Sequence, residues 1–408
     1  ENRPDKIRNG QAWPPRPADN KAITMKKHIS IFWLFGLLAL LAPATANAAA
    51  WLGHLNDAPP PKGTPAAPAI GAWQSVEVRT GPMFPSQSSG QTSTRPPAKR
   101  KQKGSAPMQI GQLKYLGGLI MTSPHDWFGG FSGLTISDQG QVIAISDRAK
   151  WLKATAQFDQ NGAISGLVDV TMASMQSSRK NGKALTDVAG DAEAITLSAT
   201  GNPIVTFERY HRIDAYASDE EGKYIYKQRL FHNRLAADLP SNRGLESVAK
   251  LADGRLMTLS EDGPKGSAKQ GLVPGWFSPS VDWPDSDNTS YDDWRPFSYR
   301  PTPDFMVTDI AQDPGPSGDV YLLERAFSQT KGVRIKVKKI SGVDLQPGIT
   351  IPATEIAHLT MLHGMDNMEG LALRRTSDNR LIAYLISDDN FSIRQRNILM
   401  SFEILPAN

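Results

Sequence analysis

Acidic residues recur along this chain at nearly fixed intervals. Glu193, Glu246 and Glu369 each open a short segment, and Glu208, Glu261 and Asp388 close the apolar run that follows. In two further segments Ser132 and Thr308 stand at the start, and Asp147 and Glu324 at the end. The interval from start to end is 15 residues in three segments, 16 in the fourth and 19 in the fifth. Arg148, Arg209 and Arg325 directly follow three of the closing acids, and Asp262 and Asp389 follow the other two. If the fold gathers these carboxylates, their mutual repulsion demands a compensating cation. Ca²⁺ accepts about six to eight oxygen ligands in flexible geometry. A divalent cation beside guanidinium groups suits a phosphate ester: the metal polarises the phosphoryl oxygen and arginine offsets developing charge.

Specific assignments follow from this pattern. The expected metal ligands are Glu193, Glu208, Glu246, Glu261, Glu369 and Asp388, for Ca²⁺ or another divalent cation. The expected catalytic residues are Glu193, Glu246, Arg148 and Arg209. Arg148, Arg209, Arg325 and His211 are the expected substrate contacts. A competing explanation is that each acid caps backbone N–H groups at a strand end and pairs with the arginine beside it.

The elements that must position these residues are visible as a repeat. Five segments align: Ser132-Gly-Leu-Thr-Ile-Ser, Glu193-Ala-Ile-Thr-Leu-Ser, Glu246-Ser-Val-Ala-Lys-Leu, Thr308-Asp-Ile-Ala-Gln-Asp and Glu369-Gly-Leu-Ala-Leu-Arg. Their starts are 61, 53, 62 and 61 residues apart. An aliphatic residue holds the third place in each, namely Leu134, Ile195, Val248, Ile310 and Leu371. Gly140, Gly201, Gly254, Gly318 and Asn379 supply the turn before the second apolar run, as a hairpin requires. Third and fourth strands are expected at 151–158 and 164–172 in the first repeat, and at 212–217 and 224–231 in the second.

Four antiparallel strands per period of this length predict an all-β fold, a β-propeller of five or six four-stranded blades. A sixth blade would lie in the insertion at 264–305. The last repeat reaches only a third strand, at 397–405. The segment 113–121 has no hairpin of its own and is expected to supply the fourth, closing the ring by pairing N- and C-terminal strands. A solenoid or a β-sandwich is the rival architecture.

Other signals are weaker. Gly130-Phe131-Ser132-Gly133 opens a strand and is not a nucleophile elbow. His125, His211 and His363 lie nearest the repeat ends. Asp285, Asp287, Asp292 and Asp293 lie in a polar insertion without the spacing of a calcium loop. Trp127, Trp151, Trp276, Trp283 and Trp294 read as blade packing or as a stacking surface for a ring.

Composition bounds the rest. Among 408 residues there is no Cys, which excludes disulfides, thiolate metal sites and a cysteine nucleophile. A net charge of +4 gives no reason to expect nucleic acid as a partner. Met25, Lys26 and Lys27 precede an apolar run from Ile29 to Leu41, and Ala46-Asn47-Ala48 follows. This order is that of a secretory signal peptide, residues 25–48, cleaved after Ala48 and leaving no membrane span. Residues 1–24 read as an upstream extension not native to the folded protein. Residues 49–107, rich in Pro, Ser and Gly, read as a disordered linker, with 108–408 as the propeller. The expected location is periplasmic or secreted.

The repeat resembles a known family. Phe131-Ser-Gly-Leu, Val142-Ile-Ala-Ile-Ser-Asp-Arg, Asp191-Ala-Glu-Ala-Ile, Phe207-Glu-Arg, Asn242-Arg-Gly-Leu-Glu-Ser-Val, Leu259-Ser-Glu-Asp and Met368-Glu-Gly-Leu occur in this order. Together they look like the phytase-like ("esterase-like activity of phytase") domain of secreted bacterial proteins, over roughly 118–405. The resemblance implies a propeller, export, and hydrolysis of a small-molecule phosphoester or ester. Alkaline phytases hold calcium with acids at one propeller mouth, a part that Glu193, Glu208, Glu246, Glu261 and Glu369 would take here. The alternatives are a metal-dependent lactonase or carboxylesterase, or a ligand-binding propeller without catalysis.

Overall fold

The computed structural model describes residues 69–84, 108–177, 182–264, 271–279 and 293–407. The upstream extension, the signal sequence with Ala48, most of the expected linker, Trp283, Asp285, Asp287 and Asp292 lie outside them. Among the described residues no helix is long and apolar enough to cross a membrane.

Four strands precede the repeat: β1 (Gln74–Ser75), β2 (Arg79–Pro82), β3 (Gln109–Ile110) and β4 (Leu113–Thr122). Blade 1 follows as β5 (Phe131–Ile136), β6 (Gln141–Ser146), β7 (Lys150–Phe158) and β8 (Ile164–Ser174). Blade 2 is β9 (Ala192–Leu197), β10 (Pro203–Phe207), β11 (Arg212–Ser218) and β12 (Tyr224–Phe231). Blade 3 is β13 (Leu245–Lys250), β14 (Leu256–Ser260), β15 (Val273–Phe277) and β16 (Arg295–Tyr299). Blade 4 is β17 (Met306–Gln312), β18 (Val320–Ser328), β19 (Gly332–Ile340) and, after the short β20 (Thr350–Ile351), β21 (Thr354–Thr360). Blade 5 begins with β22 (Met368–Arg375), β23 (Leu381–Ser387) and β24 (Asn397–Ile404).

Each blade is an antiparallel meander, and β20 adds to β16 in parallel. The outer neighbour of β24 is β4, in register from Leu113 opposite Ile404 to Met121 opposite Asn397. The five inner strands touch one another in the cyclic order β5, β9, β13, β17, β22 and back to β5. The molecule is therefore a five-bladed propeller. The insertion at 264–305 hides no sixth blade among the described residues. Its apolar stretches are β15 and β16, which bury Trp276, Phe277, Phe297 and Tyr299 in blade 3 and its interfaces.

The expected linker differs from the structure at residues 69–84. There β1 pairs with β8 of blade 1 and β2 pairs with β4 of blade 5. Val76 and Met83 are buried in two different core clusters, and Trp73 Nε1 donates to the Gly222 carbonyl at 2.8 Å. A few apolar residues suffice to dock a segment whose average composition is that of a linker.

Apolar packing lies between blades, where alternate residues of neighbouring sheets interdigitate. Trp151 illustrates this: it is 1% exposed on blade 1 and meets Tyr216 and Tyr224 of blade 2 edge-on. Trp276 and Trp294 pack on Phe231 in the same manner. These tryptophans are blade packing.

Candidate functional site

One irregularity recurs in all five blades. Pairing between the first two strands slips by one residue directly after the first pair. The extra residue is Ser132, Glu193, Glu246, Thr308 or Glu369. A bulge of this kind leaves one residue outside the ladder and re-aims its side chain. Here it brings Glu193, Glu246 and Glu369 near enough to one another for their charges to interact, while in blade 1 Ser132 Oγ donates to the Ala192 carbonyl at 2.5 Å.

The second strand returns beside each bulge. Asp147, Glu208, Glu261 and Asp388 donate their backbone N–H to the carbonyls of Gly130, Asp191, Gly244 and Asn367, at 2.9, 2.8, 2.8 and 2.9 Å. In blade 4 the matching residue is Arg325, not Glu324. Glu324 pairs with Val307, as Ser146 pairs with Phe131 and Ser260 with Leu245. The turn in blade 4 is longer: pairing resumes at Val320 opposite Gln312, but at Val142 opposite Ile136. Glu324 is therefore excluded from the ring. It is fully buried and accepts from Tyr299 Oη at 2.6 Å, Lys338 Nζ at 2.8 Å and the Thr302 N–H at 3.0 Å.

The ring acids form two overlapping triplets, Asp191–Glu193–Glu208 and Glu208–Glu246–Glu261. In each, three carboxylate oxygens lie within 4.8 Å of one another. Glu208 belongs to both, and its Oε1 accepts the Gly244 N–H at 3.0 Å. Gly244 must be glycine, because a Cβ there would lie 2.0 Å from His211 Cε1. His211 is buried behind this loop, against the Pro240 carbonyl at 3.1 Å. It supports the backbone that holds Glu208 and does not itself face the ring. Burial lowers its pKa.

Burial first, and then the nearness of like charges, raises the pKa values of the ring acids. Burial, Asp388 and Asp191 push Asp147 up to about 7. Burial and Asp191 push Glu208 to about 7, against the Gly244 hydrogen bond. Burial pushes Glu369 to about 8 and Asp388 to about 6. Glu193 and Glu246 are held well above the usual carboxylate range by burial and by the neighbouring acids. Glu261 is raised by burial, with Arg325 and Arg243 working in the opposite direction.

The three arginines have different fates. Arg325 lies within the ring, with Nη1 3.0 Å from Glu369 and Nη2 3.6 Å from Glu261, and it donates to Asn367 Oδ1. Arg209 pairs with Asp191 and holds a left-handed backbone, φ 54°. Arg148 is exposed and lies 3.3 Å over the Phe391 ring, with no carboxylate partner among the described residues. A pocket of about 550 Å³ opens beside Asp147 and Asp191, walled by Arg148, Lys150, Arg209 and Val188.

Asp262 and Asp389 hold loops in place. Asp262 accepts from Arg243 at 3.3 Å, and Asp389 from the Gly130 N–H at 2.9 Å. His125 accepts from the Trp127 N–H, and His363 from the Thr360 N–H, so both hold local turns. Sequence reasoning passed over Asp191, Asn367 and Lys150. The first two sit just before strands β9 and β22, a position whose alignment across repeats carries the signal. Asp309 was also passed over. It is buried between inner strands and accepts the Ile310 and Leu371 N–H groups at 2.8 and 2.7 Å.

A model of the phytase-like family, described as esterase-like activity of phytase, matches residues 126–391. The chain belongs to this family. The match contains every bulge residue and every ring residue of this phytase-like propeller. No curated protein matches the chain. Among solved structures, a glucose dehydrogenase is 9% identical, with 70% of this chain and 98% of that one covered and a TM-score of 0.37. A gluconolactonase from Xanthomonas campestris is 10% identical, covering 73% and 82%, with a TM-score of 0.34. Virginiamycin B lyase from Staphylococcus aureus, with quinupristin, is 10% identical, covering 81% and 100%, also at 0.34. No chemistry is transferred from proteins this distant.

Proposed function

We propose that this phytase-like propeller is a divalent-cation-dependent hydrolase acting on a small-molecule phosphoester at the acidic mouth. The observation that carries the reading is the pair of carboxylate triplets sharing Glu208, beside a pocket walled by Arg148, which has no salt-bridge partner among the described residues. The donor set is all oxygen, hard and crowded, which favours Ca²⁺ over softer metals. The Thr308 hydroxyl is buried with no hydrogen-bond partner among the described residues, and Glu193 stands close enough to Asp191, Glu208 and Glu369 for their charges to raise its pKa. Both fit a mouth that receives a cation. Asp191, Glu193, Glu208, Glu246 and Glu261 would hold it. When bound, a divalent cation supplies charge compensation and polarises the oxygen of the reacting group.

The chain's own residues do the rest. Arg148 meets the anionic substrate, and its stacking on Phe391 fixes the guanidinium plane. Asp147, with a pKa of about 7, holds or releases a proton near neutrality, as a general acid or base must. Arg209 is oriented by Asp191 and faces the same pocket.

A second reading has its own support. Arg325 is occupied by Glu369 and Glu261, so fewer cationic groups remain for phosphate than the sequence promises. That favours a carboxylic ester or lactone on the same residues. Export is proposed as well, resting on residues 25–48 alone; fractionation of cells for the processed chain tests it.

The deciding assay measures phosphate release from a chromogenic phosphomonoester and from inositol hexakisphosphate, and acid release from an aryl ester and a lactone. Each is run with Ca²⁺ and with chelator, with Glu208→Gln as control. Calcium-dependent phosphate release lost in Glu208→Gln supports the first reading. Acid release alone supports the second. No turnover of any substrate leaves a ligand-binding propeller.

A further inference from the structure

Blades 1, 2, 3 and 5 place a carboxylate where the second strand returns to the mouth, and blade 4 places Arg325. Its guanidinium touches oxygen atoms from blades on both sides. Glu261 belongs to blade 3, while Glu369 and Asn367 belong to blade 5. Those are oxygen donors of the type a hard cation takes. Blade 4 adds an independent observation. Thr308, its bulge residue, is 2% exposed, and its hydroxyl has no hydrogen-bond partner among the described residues. It shares the position from which Glu193, Glu246 and Glu369 reach the mouth.

We propose that Arg325 is a resident cation, filling a seat that would otherwise bind a second divalent ion. Glu261, Glu369 and Asn367, which contact Arg325, form the seat, and the Thr308 hydroxyl, unpartnered among the described residues, is proposed as its further oxygen. Arg325 thereby confines exchangeable metal to the opposite arc, around Asp191, Glu193, Glu208 and Glu246, with Glu261 at the boundary, shared between that arc and the seat. That arc adjoins the pocket walled by Arg148 and Lys150, so the mouth has one reactive side. The inference rests on the proposed capacity of the ring for cations but not on hydrolysis.

Calcium stoichiometry of the whole chain tests it, by titration calorimetry and by sensitised Tb³⁺ luminescence. Arg325→Gln should bind one more ion than the parent, and Arg325→Lys, which keeps the charge, should match the parent. Arg325→Gln/Glu369→Gln removes a ligand together with the charge and should not gain the ion. If Arg325→Gln is unfolded in chelator, millimolar Ca²⁺ should fold it, because the ion replaces the guanidinium. Unchanged stoichiometry in folded Arg325→Gln overturns the proposal. So does failure of Ca²⁺ to restore an unfolded variant, or an added ion in the double variant. A parent that binds no Ca²⁺ removes the cation from the proposed function. A gain from none to one in Arg325→Gln would still uphold the role of Arg325.

Discussion

Arg209 sits in left-handed backbone, a conformation that costs a non-glycine residue about 1–2 kcal/mol. Its guanidinium is gripped by Asp191 at the edge of the pocket. Strain kept at such a place is read as functional. Arg209→Gly should therefore leave stability within about 1 kcal/mol of the parent, since relief of strain offsets the freer unfolded chain. Turnover should nevertheless fall. Thermal unfolding and activity measured on one preparation separate the two effects, and loss of both together would make Arg209 purely structural. Lys338 and Glu324 show the opposite case. They form a buried pair, 9% and 0% exposed, outside the mouth. Lys338→Met leaves the carboxylate buried and unpaired, at a cost of about 3–5 kcal/mol. Urea unfolding should show that loss, while calcium affinity stays unchanged.

At the scale of strands, much was legible. The aliphatic residue at the third place of each repeat, the turn glycines and the closing acids located all five inner hairpins. Two things were hidden. A bulge has no residue signature of its own, so Glu193 and its equivalents could be matched without knowing what aims them. A longer turn in blade 4 also shifts the match by one, and adjacent Glu324 and Arg325 offer an acid at the wrong place. Only the register shows that Glu324 faces Tyr299 and that Arg325 enters the ring. The outer strands β1 and β2 were missed because composition was averaged over a long polar segment. They bridge the outer edges of blades 1 and 5, pinned by Trp73 against Tyr224 and under Lys153. Trp73→Ala should free this strap. The cost should stay below the roughly 3–5 kcal/mol of a fully buried Trp, because Trp73 is half-buried. Limited proteolysis should then cut within 69–84 before the rest of the chain, and equal resistance would show that the strap is held elsewhere.

At the scale of the molecule, the ring makes stability depend on pH and on cations together. Asp147, Glu208, Glu369 and Asp388 have folded pKa values of about 7, 7, 8 and 6, above those of an unfolded chain. The folded state then binds more protons than the unfolded state between about pH 4 and pH 8, so stability falls as pH rises through that window. In chelator the melting temperature should drop steadily from pH 5 to pH 8, and Ca²⁺ should flatten the curve. A melting temperature that rises over this range would refute the picture of a buried acidic ring. The seam between β4 and β24 has a kinetic consequence. Lys114 on β4 meets Glu403 on β24 across 289 residues of sequence. Four blades assemble from neighbouring hairpins, but blade 5 must wait for the longest loop in the molecule to close. Until then β4 and β24 are unpaired edges, open to other chains. Refolding should therefore end in a slow phase whose yield declines with protein concentration, which makes dilution, rather than temperature, the variable that rescues this fold.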